Sequence, residues 1–228
     1  MSLRRPKDNM SYEVTKRKLQ RHYLNWKDCK SCELHRHRKQ VVLYRFSDIV
    51  TMNHSVERNR SCTDVCFIGE APGAAENIIG VPFVPNAPAG ANLELIVEQV
   101  YTDYKQFSWA ITNVVACHPT GNRNPTTEEC TACAPRLIEF LALVQPRLVV
   151  LVGSVTKSQF DPDKTLKLLR YEGYTDADFH TCTIVHPAAI ARKVTAGDPS
   201  AQKQMLDAAS MIMGSLKHVE SSIPRKAW

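Results

Sequence analysis

The chain has 228 residues, 43% hydrophobic and 23% charged, a balance expected of a soluble globular protein of one domain or two small ones. No apolar run nears the roughly 20 residues of a membrane span. The start, MSLRRPKDNMSYEVTKRKLQ, has charge but no apolar signal core, so a cytoplasmic setting is expected. The net charge of +6 is uneven: residues 1–60 hold 15 Lys and Arg against 6 Asp and Glu, the rest 14 against 17. A basic segment on a near-neutral body points to a polyanionic partner, nucleic acid first. A solvated basic helix is the plain alternative.

In chain order, residues 1–9 read as a disordered tail. Tyr12 to Trp26 predicts a helix, with Tyr12, Leu19, Tyr23 and Trp26 recurring on one face. VVLYRF reads as a strand and Asp48 to Arg60 as a polar loop. DVCFIGE and WAITNVVAC follow as strands, separated by the amphipathic helix NLELIVEQVY. Thr126 or Thr127 can cap the helix that continues through APRLIEFLALVQ. RLVVLVG is a continuous apolar run, as a buried parallel strand requires. TCTIVHP is a further strand, and SAQKQMLDAASMIMGSL a closing helix. This alternation predicts a three-layer α/β/α sandwich around a central, mostly parallel, four-stranded sheet. Residues 1–28 are a basic tail and helix; residues 29–228 form the single domain. In such sheets ligands sit beyond the carboxyl ends of the strands, here GEAPG, ITN, LVGS and VHP.

Eight cysteines in a reducing compartment favour metal binding over disulfides. Cys29 and Cys32 form a C-x2-C pair; Cys117 ends a strand and Cys133 opens a helix. Together they would make a four-thiolate site for zinc or an iron–sulfur cluster. Cys130 is a second-ranked competitor. Cys62, Cys66 and Cys182 sit in apolar runs and read as core residues.

The segments CKSCELHRHRKQVVLYRF, GEAPGAAENIIGVPFV, ITNVVACHPTGNRNPTTEECTACAPRL and VHPAA, in this order and spacing, resemble the family 4 uracil-DNA glycosylases, the iron–sulfur members of their superfamily. The resemblance spans residues 29 to about 215. It implies a [4Fe–4S] cluster on Cys29, Cys32, Cys117 and Cys133. It also implies removal of uracil from DNA, in base excision repair, through hydrolysis of the N-glycosidic bond.

The chemistry of these residues fits that activity. Gly69 and Gly73 allow a sharp turn and close approach, Pro72 stiffens it, and Ala71 stands where other branches carry a water-activating Asp. Bond cleavage develops positive charge on the sugar and negative charge on the base, so carboxylates at Glu70 and Glu76 can stabilise the sugar or hold water. Glu76 is favoured for the water; its plain reading is a first-turn helix acid. The resemblance makes Phe83 the stacking face for a flipped base and Asn113 the reader of the uracil edge. Asn122 is expected in a supporting network with Glu76. His186 would donate to uracil O2, and the following loop, AAIARK, would approach DNA with Arg192 and Lys193 on phosphates.

The chain departs from the family at Asn77, where Asp is usual, and in PFVPNAPAG, which replaces a glycine by proline and adds about two residues. That loop motivates a rival reading: a glycosylase or transferase acting on a modified pyrimidine such as 5-hydroxymethyluracil. A second rival is a non-catalytic DNA-binding module. No lysine is placed as a Schiff-base nucleophile, so a monofunctional enzyme is expected; a monomer is expected as well.

Overall fold

The computed structural model describes residues 12–47, 63–102, 107–171 and 179–222. The expected tail 1–9, the loop Asp48–Arg60 and Cys62 lie outside these.

Among the described residues five strands form one sheet in the order β1-β3-β2-β4-β5. They are β1 (Arg45–Phe46), β2 (Val65–Gly69), β3 (Trp109–Asn113), β4 (Leu148–Val152) and β5 (His180–Ile184). The four strands β2 to β5 are parallel, as their apolar runs predict. The fifth comes from VVLYRF, whose last two residues pair antiparallel with the β3 edge, Arg45 opposite Ile111 and Phe46 opposite Ala110.

Alternation along each strand sends side chains to two cores. Cys66, Ile68, Ala110, Val149 and Leu151 face one; Val65, Phe67, Ile111, Val150 and Val152 face the other. Helices α1 (Tyr12–Trp26), α4 (Thr127–Val144) and α6 (Pro162–Tyr171) supply the first core through Leu19, Leu137, Phe140 and Leu169. The second is covered by α3 (Pro88–Tyr101), α7 (Pro187–Thr195) and α8 (Ser200–Ser222), through Leu93, Ile96, Ile190 and Ile212. The short α2 (Ala74–Ile79) and α5 (Ser154–Gln159) follow the ends of β2 and β4. Among the described residues no helix is long and apolar enough to cross a membrane.

Local chemistry explains most boundaries, and two expectations change. α1 spans the predicted residues, but Tyr23 is half exposed and His22 is buried in its place. His22 packs on Tyr44 and Phe140, and its Nε2–H donates to the Arg136 carbonyl at 3.0 Å. AAIARK is not a loop: it lies in α7, which starts with Pro187 in its first turn, where a missing N–H costs nothing. The extra residues of PFVPNAPAG begin α3, with Pro88 in its first turn.

The cap of α4 is a reciprocal box. Thr126 Oγ1 accepts from Glu129 N at 3.3 Å, and Glu129 accepts from Thr126 N at 2.8 Å. Arg123 forks onto both Glu129 oxygens at 2.6 and 2.8 Å, which holds the Glu129 carboxyl below its ordinary range. Thr126→Ala removes one half of this box. The expected loss is about 1 kcal/mol, read as a lower urea midpoint at unchanged m-value.

Candidate active site

Parallel pairing brings four strand ends side by side. Gly69, the last residue of β2, is opposite Asn113, the last of β3. Beyond them the ladder continues into the loops, with Val114 N donating to Gly69 O at 2.8 Å and Val115 N to Glu70 O at 3.1 Å. Gly153, after β4, donates its N–H to Ile184 at the end of β5 at 2.9 Å. His186 follows two residues later, and a Cβ on Gly153 would stand 3.2 Å from its ring.

Phe83 reaches this crevice from the loop before α3. Its ring centre is 5.8 Å from that of His186, tilted by 34°. A Cβ on Gly69 would meet the Phe83 ring at 2.6 Å and collide with Asn113 Oδ1, so the turn needs glycine. Phe83, Asn113 and His186 therefore gather at neighbouring strand ends, although 103 residues separate the first from the last.

Asn113 is 1% exposed, and neither its Oδ1 nor its Nδ2 has a hydrogen-bond partner among the described residues. A buried amide with both ends unpaired costs a few kcal/mol unless something binds it. His186 caps α7: its Nδ1 accepts from Ala188 N at 3.1 Å. Nδ1 therefore carries no proton, which places the hydrogen of the neutral ring on Nε2. Burial, with help from the Arg192 charge, lowers the His186 pKa below its ordinary 6.5.

The two acids differ. Glu76 gives one oxygen to Gly73 N and the other to Phe83 N, the latter at 2.5 Å. Burial pushes its carboxyl up, while the two amides, His118 and Arg45 pull it back. Glu70 is half buried; its Oε1 has no partner among the described residues, and burial raises its carboxyl. Asn122 is exposed on the turn Thr120–Asn122, with a left-handed φ of 55° and its N–H on Pro119 O. It makes no hydrogen bond to Glu76 among the described residues. His118 occupies that neighbourhood instead, donating from Nδ1 to Pro72 O at 2.8 Å. His118 was not singled out from the sequence; its place in C-H-P just past a strand end is the available signal. Ala71 packs on the first core, and Gly73 is the N-cap of α2.

Asn77 is buried and accepts from Lys39 N at 2.8 Å, so the departure at this position ties α2 to the basic segment. On α7, Arg192 is exposed, while Lys193 is held by Ser200 at 2.7 Å and Asp198 at 3.5 Å.

Behind the crevice, Cys29, Cys32, Cys117 and Cys133 line one pocket. Leu34, Val41, Leu43, Val115 and Ala116 form its apolar wall. Arg38 Nη1 donates to Cys117 Sγ at 3.2 Å, and burial pushes the Cys117 thiol up to about 11. Cys130 is not part of this lining, whereas Cys66 is fully buried core and Cys182 packs against the second core. Among the described residues no three His, Cys, Asp or Glu side chains close on one ion.

Known proteins share this sequence pattern. The profile of the Uracil DNA glycosylase superfamily matches residues 59–209. The Type-4 uracil-DNA glycosylase of Pyrobaculum aerophilum is 30% identical over 177 residues, 73% of this chain and 81% of that one. That of Thermotoga maritima is 31% identical over 147 residues, 64% of this chain and 68% of the relative. The protein of the same name from Saccharolobus solfataricus is 29% identical over 140 residues, 61% and 57% of the two chains. With the strand-end crevice and its four-cysteine pocket, these matches place the chain in the uracil-DNA glycosylase superfamily, among its type-4 members.

Proposed function

We propose that this chain hydrolyses the N-glycosidic bond of uracil in DNA and leaves an abasic site. The supporting observation is the buried amide of Asn113, without a hydrogen-bond partner among the described residues and beside Phe83 at the Gly69 turn. Uracil presents an acceptor at O4 beside a donor at N3–H, so Nδ2–H and Oδ1 of one amide pair with both. Phe83 stacks on the flipped base. His186 donates its Nε2–H to O2 as the base leaves with negative charge, a neutral donor matched to a developing oxyanion.

The carboxylates divide the remaining work. Glu76 uses both oxygens to hold the Phe83 backbone against the turn at Gly73, and so positions the stacking face. Any water it orients must share an oxygen already engaged. Glu70, with an unpaired oxygen, is placed to hold water or face the sugar cation. Asn122 and Arg192, both exposed, belong to the DNA-facing side.

Cys29, Cys32, Cys117 and Cys133 would hold a [4Fe–4S] cluster. Four thiols around an apolar pocket, with Arg38 donating to one sulfur, are the donor set of such a group. Its contribution is structural, joining the basic segment to the loop after β3 and to α4. Within the cytoplasm the protein acts as a monomer in base excision repair. The basic residues of 1–60 supply the attraction to phosphates.

One assay tests the reading: abasic-site formation on oligonucleotides carrying a single uracil, 5-hydroxymethyluracil or cytosine. Cleavage at uracil is expected. Preference for the modified base would favour the PFVPNAPAG rival, and binding without abasic sites would favour a non-catalytic module. His186→Ala should lower turnover about 100-fold or more, roughly 3 kcal/mol in the barrier, with DNA affinity unchanged; full turnover would remove His186 from the site. Because Nδ1 must stay unprotonated to cap α7, the acid limb of kcat is expected below pH 6.5. A midpoint above 6.5 would contradict the neutral donor. Finally, Cys29→Ala should yield colourless protein that melts at lower temperature; a brown, equally stable variant would place the cluster elsewhere.

A further inference from the structure

The largest fully buried side chain among the described residues is an arginine, Arg136. It lies on α4, one turn after Cys133, and lines the cysteine pocket. Its guanidinium grips three consecutive residues at the end of β3: Nη1 donates to Thr112 Oγ1 at 2.8 Å, and Nη2 donates to Asn113 O at 2.5 Å and Val114 O at 2.9 Å. All three acceptors are neutral, and Nε has no partner among the described residues. Arginine stays charged when buried, and a buried cation without counter-charge is costly. The adjoining four-cysteine pocket supplies the counter-charge once its thiols are ligated as thiolates.

We propose that Arg136 is a positioning residue: it holds the Thr112 hydroxyl and the carbonyls of Asn113 and Val114, fixes the backbone that leaves Asn113, and so aims the Asn113 amide into the base pocket, while its charge is balanced by the thiolate-bound group next door. Filling the cysteine pocket and reading the base are thereby joined through one side chain. This rests on the reading of Asn113 as the base-recognising residue. A leucine would fill comparable space but strand the Asn113 and Val114 carbonyls. Fixing the last residues of β3 is thus specific to the forked donor.

The test is a double-mutant cycle in the iron-loaded protein, by single-turnover kinetics on a uracil-containing oligonucleotide. Arg136→Gln is expected to lower kcat about tenfold with KM changed less than about twofold, and to cost nothing further in an Asn113→Ala background. Additive losses would overturn the proposal. An Asn113→Ala variant with full activity would overturn the base-reading assignment itself, and this inference with it. If Arg136→Gln fails to fold, Thr112→Val removes one acceptor at nearly constant volume. It should then give a few-fold loss in kcat that vanishes in the Asn113→Ala background, and an additive loss overturns the proposal here too. The second readout is thermal. Stripping iron with a chelator should lower Tm more in the wild type than in Arg136→Met, because the wild type is left with an uncompensated buried cation. Equal drops would overturn the link to the cysteine pocket.

Discussion

The contact between Gly69 and Asn113 is the constraint on which the crevice depends. Two parallel strands end in register there, and the side chain that would normally separate them is missing. The vacated space lets the Phe83 ring approach the end of β2, and the Asn113 amide beside it has no hydrogen-bond partner among the described residues. With an alanine at 69, Phe83 or Asn113 must move, and their mutual geometry is lost. Everything else in the crevice is arranged around that contact: β4 and β5 bring His186 alongside, and Glu76 holds Phe83 from behind.

The two pockets are built from the same chain segments. β3 delivers Asn113 to one and, four residues on, Cys117 to the other. α4 delivers Cys133 to the second and Arg136 back to the strand end. The basic segment also serves both. Arg38 donates to Cys117, and the neighbouring Lys39 and Gln40 hold Asn77 and Ile78 of α2. Short chains of direct contacts thus link the cysteine pocket to Asn113 and to α2.

Much of this was readable from the residues alone. The buried strands show as apolar runs, and their glycine, asparagine and histidine ends follow from the general placement of ligands in parallel sheets. A cap at Thr126 or Thr127 follows from the acids of the first turn, and the structure uses Thr126. What escaped reading had opposite reasons in different places. α7 read as a loop because its N-cap is His186, acting through Nδ1, instead of Ser, Thr, Asp or Asn. His22 was passed over for Tyr23 because periodicity treats a histidine as polar, whereas here its ring is packed among aromatics and its Nε2 satisfied by a carbonyl. Arg136 was invisible for a related reason. Arginine is mostly a surface residue, and nothing local to APRLIEF reveals that three acceptors wait for it across the core. The sequence favours Glu76 for the water; what it does not reveal is the capture of both Glu76 oxygens, which depends on Phe83 folding back seven residues later.

That fold-back carries a conformational cost with a use. Phe83 sits at φ 46°, a left-handed conformation uncommon for a large aromatic. It is held there from two sides. Glu76 accepts its N–H, and Gly90 of α3 lets the Phe83–Val84 backbone press against the helix, where a Cβ would lie 2.6 Å from the Phe83 carbonyl. Neither support is adjacent in sequence, and each belongs to a different helix. For the stacking role proposed above, a face fixed before the substrate arrives loses little side-chain freedom on binding, which offsets the strain of one residue. The departure at PFVPNAPAG fits this arrangement, because its final glycine supplies one of the two supports and its third proline, Pro88, starts the helix that carries it.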